Sequence, residues 1–164
     1  YAILRPTVLI GAEDILINNI AFLLKRFPFF VLPGRGSYRL QPVYVEDVAA
    51  LAVAGIYRKD DYVIDAVGPD IFTFKEMVQL IAQKVGARRP LIALPPRLAL
   101  LGAQFLSLFL GDVLLTPEEL DGLQAGLLVS NEPARCPTHL ADWLEQNKDR
   151  VGTKYASELK RHYR

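Results

Sequence analysis

YAILRPTVLIG, Tyr1 to Gly11, is the stretch on which the fold turns. Tyr1 to Ile10 alternates poorly between apolar and polar residues. Its Ile, Leu, Val and Thr content fits a strand covered on both faces, as in a parallel sheet. Gly11 ends it.

Outward from that strand, helical and extended segments alternate. Ile15 to Phe27 carries Leu16, Ile20, Leu23, Leu24 and Phe27 at three- and four-residue spacing, and Pro28 stops it. Phe29 to Leu32 is a short strand. PGRGS, Pro33 to Ser37, reads as a tight hairpin turn leading to a strand over Tyr38 to Val45. Glu46 to Arg58 is helical through Val48, Leu51, Ala52 and Ile56, and Tyr62 to Val67 is a further strand. Thr73 and Glu76 have capping-box spacing before a helix ending at Gly86. Pro90 to Leu94 reads as a short strand. Thr116 and Glu119 repeat the capping box, with Pro117 at the first helical position. Thr138 to Asn147 is amphipathic around Leu140, Trp143 and Leu144. From Lys148 to Arg164 the sequence is polar, basic and expected to be loosely held. The order of elements predicts an α/β class.

The bulk composition narrows the function. The chain has 164 residues, 51% hydrophobic, with Lys+Arg 19 against Asp+Glu 18. A net charge of +1 gives no electrostatic case for nucleic acid. One Cys and two His leave no disulfide framework and no convincing zinc site, and a reducing cytoplasm fits best. No secretory signal pattern is visible in Tyr1 to Gly11. The most apolar run, Leu91 to Leu115, is broken by Pro95, Pro96 and Arg97 and ended by Asp112. The remaining Leu98 to Leu110 is too short to span a membrane. It reads as a buried helix, with an interfacial or partner-binding helix as the alternative.

A complete active site is not legible. Gly34 and Gly36 lie between strands and open no helix, and no phosphate-binding G-x-x-x-x-G-K sequence occurs. His139 and His162 read as surface or boundary residues and Cys136 as a free loop thiol. Glu46 and Asp47 suit a helix N-terminus.

Three stretches together resemble extended and atypical short-chain dehydrogenase/reductases of the NAD-dependent epimerase/dehydratase type. ILRPTVLIG, Ile3 to Gly11, is similar to the family's LRP-x-x-x-x-G strand, which runs past the nicotinamide end of the cofactor. QPVYVEDVAALAV, Gln41 to Val53, resembles its V-x-V-x-D-V-A segment. Tyr62 to Gly86 resembles its last sheet strand, G-P-x turn and Thr-capped helix. His139 to Arg164 is similar to the C-terminus of the group that includes relatives of the NAD(P)H-binding accessory subunit of respiratory complex I.

The resemblance covers nearly the whole chain but only the second half of the family's fold. It implies the C-terminal portion of a Rossmann-like doubly wound fold plus a mostly helical substrate lobe, over residues 1–152, followed by a basic tail at 153–164. It implies NAD or NADP in the intact parent and none held by this chain alone. Pro6, Thr7 and Val8 become the candidate cofactor contacts, at a strand end where open α/β sheets bind ligands. Gly11, Gln41 and Tyr44 become candidate substrate contacts. The family's Gly-rich turn and Tyr-x-x-x-Lys acid/base pair belong upstream of Tyr1; no Tyr here has a Lys four positions on. No catalytic or metal-binding residue is assigned. The partners expected are the missing N-terminal Rossmann half and a small-molecule substrate, possibilities beyond these being a peripheral membrane or protein-complex contact and a homo-oligomer. The function implied is the substrate lobe of an epimerase/dehydratase or reductase acting on a nucleotide sugar; the alternative is a non-catalytic dinucleotide-binding accessory or assembly protein.

Overall fold

The computed structural model describes residues 1–112 and 116–157. The opening stretch is not one strand. β1 (Ala2–Pro6) pairs in parallel with β6 (Tyr62–Ala66), and β2 (Val8–Ile10) pairs in parallel with β5 (Pro42–Tyr44). Thr7 lies between them, so the chain changes partner there. β3 (Phe30–Pro33) pairs in parallel with β8 (Leu91–Leu94), and β4 (Arg39–Leu40) is antiparallel to β7 (Phe72–Thr73). Parallel pairs need long crossovers. Here α1 (Ile15–Arg26) and α2 (Val45–Ile56) supply them between β1 and β6, giving the predicted α/β fold.

Three helices share one core. Asp14 caps α1 by accepting the Ile17 N–H at 2.6 Å. The stripe of Ile17, Ile20, Ala21 and Leu24 is buried. α3 (Phe74–Lys84) starts with the predicted capping box, in which Thr73 Oγ1 accepts the Glu76 N–H and Glu76 accepts the Thr73 N–H. It buries Phe74, Met77, Val78 and Ile81. α6 (Leu140–Asn147) adds Leu140, Trp143 and Leu144. Ile10, Leu32 and Leu40 from the strands close the cluster. Each such side chain contributes about 1.5–3 kcal/mol of burial free energy.

Several local expectations change. Pro33 to Ser37 is a tight turn with Gly34 and Gly36 at φ 62°, but no hairpin, because β3 and β4 pair with different strands. Gly36 accepts the Lys75 N–H at 3.0 Å and so ties the turn to α3. The strand expected over Tyr38 to Val45 is interrupted at Gln41. β1 is not covered on both faces: Ile3 is 46% exposed. No residue of α2 is buried, and its Ile56 is 76% exposed.

α4 (Pro96–Leu110) is not a buried helix either, since Leu98, Leu101 and Phe105 are exposed. α5 (Pro117–Gln124) carries the second capping box, with Thr116 and Glu119. Cys136 is the free loop thiol expected, buried against Val43 and Ala66, and that burial raises its pKa. The segment after α6 is anchored through Ala156. Gly152, at φ 68°, packs where a Cβ would lie 2.6 Å from Ala21, and Asn19 exchanges two hydrogen bonds with the Ala156 backbone. Residues 158–164 of the expected tail lie outside the described residues.

Candidate functional site

The nominated residues meet where the first strand changes partner. Pro6 ends β1 opposite Ala66, Thr7 bridges, and Val8 starts β2 opposite Pro42. Pro6 is exposed; Thr7 and Val8 are half-buried. Thr7 Oγ1 donates to the Gln41 carbonyl, which also accepts the Val8 N–H at 3.4 Å. The strand switch is thus fixed by one peptide oxygen.

Gln41 is the centre of the junction. It is 3% exposed, and its side-chain amide uses both ends. Nε2 donates to the Gly68 carbonyl at 2.8 Å, and Oε1 accepts the Ser130 N–H at 3.0 Å. Its own N–H donates to the Leu128 carbonyl at 2.9 Å. The interruption of the expected strand follows from this: Gln41 faces the loops at 68 and 128–130 instead of a ladder. Gly68 must be glycine, because a Cβ there would sit 2.0 Å from the Pro42 oxygen.

The remaining nominated residues lie along the same parallel strand pair. Tyr44 is opposite Ile10, is the N-cap residue of α2, and its ring lies 6.4 Å from Trp143. Burial, and then the Glu46 carboxylate, raise its hydroxyl pKa. Gly11 is buried directly after β2, where a Cβ would meet Val45 Cγ1 at 2.9 Å. The six nominated residues therefore lie along or beside one strand pair, with Pro6 at its exposed end.

Three further polar side chains, Arg5, Asp65 and Ser130, meet beside Pro6, and the sequence reading nominated none of them. Asp65 lies opposite Arg5 in register and accepts from its Nε at 2.7 Å. The Ser130 hydroxyl donates to the other Asp65 oxygen. Ser130, then Arg5, hold the Asp65 carboxyl below its ordinary pKa. The signal available was the oppositely charged pair on two strands, but only knowledge of their register shows that Arg5 and Asp65 meet. His139 lies at the surface, one of the two places expected for it: its Nδ1 is 2.9 Å from Asp70, and that hydrogen bond, then the Asp70 charge, raises the imidazole pKa. Among the described residues no group of three His, Cys, Asp or Glu could hold a metal.

No family model matches the chain. A stretch of 84 residues is 39% identical to NADH dehydrogenase [ubiquinone] 1 alpha subcomplex subunit 9, mitochondrial, of Arabidopsis thaliana. It covers 48% of this chain and 20% of that protein, so the chain matches about a fifth of the curated relative's length. Among solved structures, UDP-glucuronic acid 4-epimerase from Bacillus cereus in complex with NAD superposes with a TM-score of 0.55 at 16% identity, over 94% of this chain and 45% of that one. UDP-glucose 4-epimerase of Thermotoga maritima gives 0.53 at 20% identity over 58% and 33%. dTDP-4-dehydrorhamnose reductase from Bacillus anthracis in complex with NADP gives 0.51 at 14% over 58% and 34%. The chain is thus similar in sequence, over 84 residues, to a complex I subunit, and it shares the fold of the UDP-sugar epimerases and the dTDP-4-dehydrorhamnose reductase.

Proposed function

We propose that this chain supplies the closing sheet strands and the substrate-side lobe of an NAD(P)-binding epimerase/dehydratase or reductase-like protein, with a nucleotide sugar as substrate. The observation that carries this is the end of β1 at the exposed Pro6, with Thr7 and Val8 half-buried beside it. It lies at the C-terminal end of a parallel strand pair, where α/β sheets bind ligands. In this reading Pro6, Thr7 and Val8 contact NAD or NADP, Gly11, Gln41 and Tyr44 border the substrate, residues 1–152 form the lobe, and residues 153–164 form a tail. The acid/base pair and the phosphate-binding turn come from a preceding Rossmann half. The setting is a reducing one such as the cytoplasm, and nucleic acid is not a partner.

A second reading is favoured by the 39% identity to a complex I subunit. Here the parent holds a dinucleotide without turning anything over and serves as an accessory or assembly protein in a mitochondrial complex. The exposed side of α4, with Leu98, Leu101 and Phe105, would then face a protein or membrane-surface partner. Among the described residues no helix is long and apolar enough to cross a membrane.

Fluorescence of NAD(P)H on the intact protein, with and without UDP- and dTDP-sugars, separates the readings. Turnover supports the first; binding without turnover supports the second. Absence of dinucleotide binding overturns both. This chain by itself is expected to show no hydride transfer.

A further inference from the structure

A cavity of about 770 Å³ opens between α1, β3, α4 and α5. Its size falls within the roughly 300–1,000 Å³ of small-molecule sites. Ile20, Leu23, Phe30, Leu106 and Leu123 line its walls, and Leu98, Phe105 and Leu127 are both lining and exposed, so its mouth is apolar too. Among the described residues no Lys, Arg or His lines it. Three polar side chains do: Asn19, Glu119 and Tyr38. Asn19 is engaged with the Ala156 backbone, and Glu119 accepts the Thr116 N–H at 2.8 Å. The Tyr38 hydroxyl is buried and has no partner among the described residues. Burial raises its pKa, so it stays a donor.

This lining selects by chemistry. Among the described lining residues an anionic head meets no cation and faces the Glu119 carboxylate. A nucleoside diphosphate would have to shed its hydration against leucine and phenylalanine. A flexible hydrocarbon gains burial at every methylene, about 0.8 kcal/mol each. We propose that the cavity binds the chain of an uncharged single-chain lipid, a fatty acyl ester or long-chain alcohol, whose oxygen accepts from Tyr38. The inference does not depend on dinucleotide binding.

The test uses fluorescence of methyl cis-parinarate on the full chain, with competitors kept below their aggregation limits. Saturable binding is expected, displaced by methyl hexadecanoate and hexadecan-1-ol, with hexadecanoate anion at least about tenfold weaker. Gly102 lines the cavity, and a Cβ there meets nothing within 4 Å, so Gly102→Phe sends a ring into the space from an unobstructed Cβ. It should cut affinity at least about tenfold while the thermal midpoint is kept. Gly122→Phe, equally unobstructed on α5, serves if the first variant unfolds. Tyr38→Phe should weaken the ester about fivefold. Absence of saturable binding, equal affinity in a folded cavity-filled variant, or equal affinity for anion and ester would overturn the proposal. So would a signal that needs phosphatidylcholine vesicles and survives Gly102→Phe, since that is adsorption to a bilayer.

Discussion

Replacing Gln41 by Leu tests the junction most directly. Leu nearly preserves the buried volume but removes the bond to the Gly68 carbonyl and the bond from the Ser130 N–H. Each leaves a backbone group without its partner in a site that is 3% exposed. An orphaned buried group costs about 1–3 kcal/mol, so the pair should cost about 3 kcal/mol. For a chain of this length that lowers the thermal midpoint by about 6–12 °C. Urea unfolding followed by circular dichroism should show the same loss with an unchanged slope. Gln41→Glu should be worse at neutral pH, because a carboxylate oxygen would face the Gly68 oxygen. Protonation restores a donor, so its folded-state pKa is raised. That variant's deficit should therefore shrink as the pH falls. Should Gln41→Leu unfold within about 0.5 kcal/mol of the parent, Gln41 is not the pin of the strand switch.

Gly68→Ala should destabilise by about 3 kcal/mol or block folding, since its Cβ would sit 2.0 Å from a backbone oxygen; Gly122→Ala, unobstructed within α5, should gain up to about 1 kcal/mol in the same melt. Glu145 bridges Lys84 on α3 and Lys148, first Lys148 and then Lys84 holding its pKa at about 2. Its contribution is present above the ordinary carboxylate range and lost as the pH falls through about 2, and a side-chain NMR titration reads that midpoint directly. His139 has the opposite sign: the Asp70 partner raises its pKa above 6.5, so the contribution is full below 6.5 and lost as the pH rises through the raised value. Asp70→Asn should return the imidazole to its ordinary titration. Finally, Ile56→Lys on the uncovered face of α2 should reduce any concentration-dependent association seen by sedimentation without lowering the melting midpoint.

The helices were legible because their causes are local. Thr73 with Glu76 and Thr116 with Glu119 form their capping boxes as spaced. The stripes at Met77 to Ile81 and Leu140 to Leu144 bury as the periodicity predicts. The strands were legible only as apolar segments. Nothing near Thr7 announces that the chain trades β6 for β5, because the cause is the Gln41 carbonyl, 34 residues away. Gln41 itself was nominated through family resemblance, whereas its hydrogen bonds depend on where Gly68 and Ser130 fall. The exposure of α4 was missed for a related reason: composition reports how apolar a helix is, not how much of it finds something to cover it.

The grip of Asn19 on the Ala156 backbone bears on how this region tolerates change. Both bonds go to main-chain atoms, so residue 156 is held by its place in the chain and not by its side chain. Almost any residue should serve there. The spacing is another matter: Gly152 is seated on Ala21 four residues earlier, and a single insertion between them would carry the wrong peptide past Asn19. In this segment the chain counts residues without reading them, so related sequences should drift freely at 156 yet keep the interval from 152 unchanged.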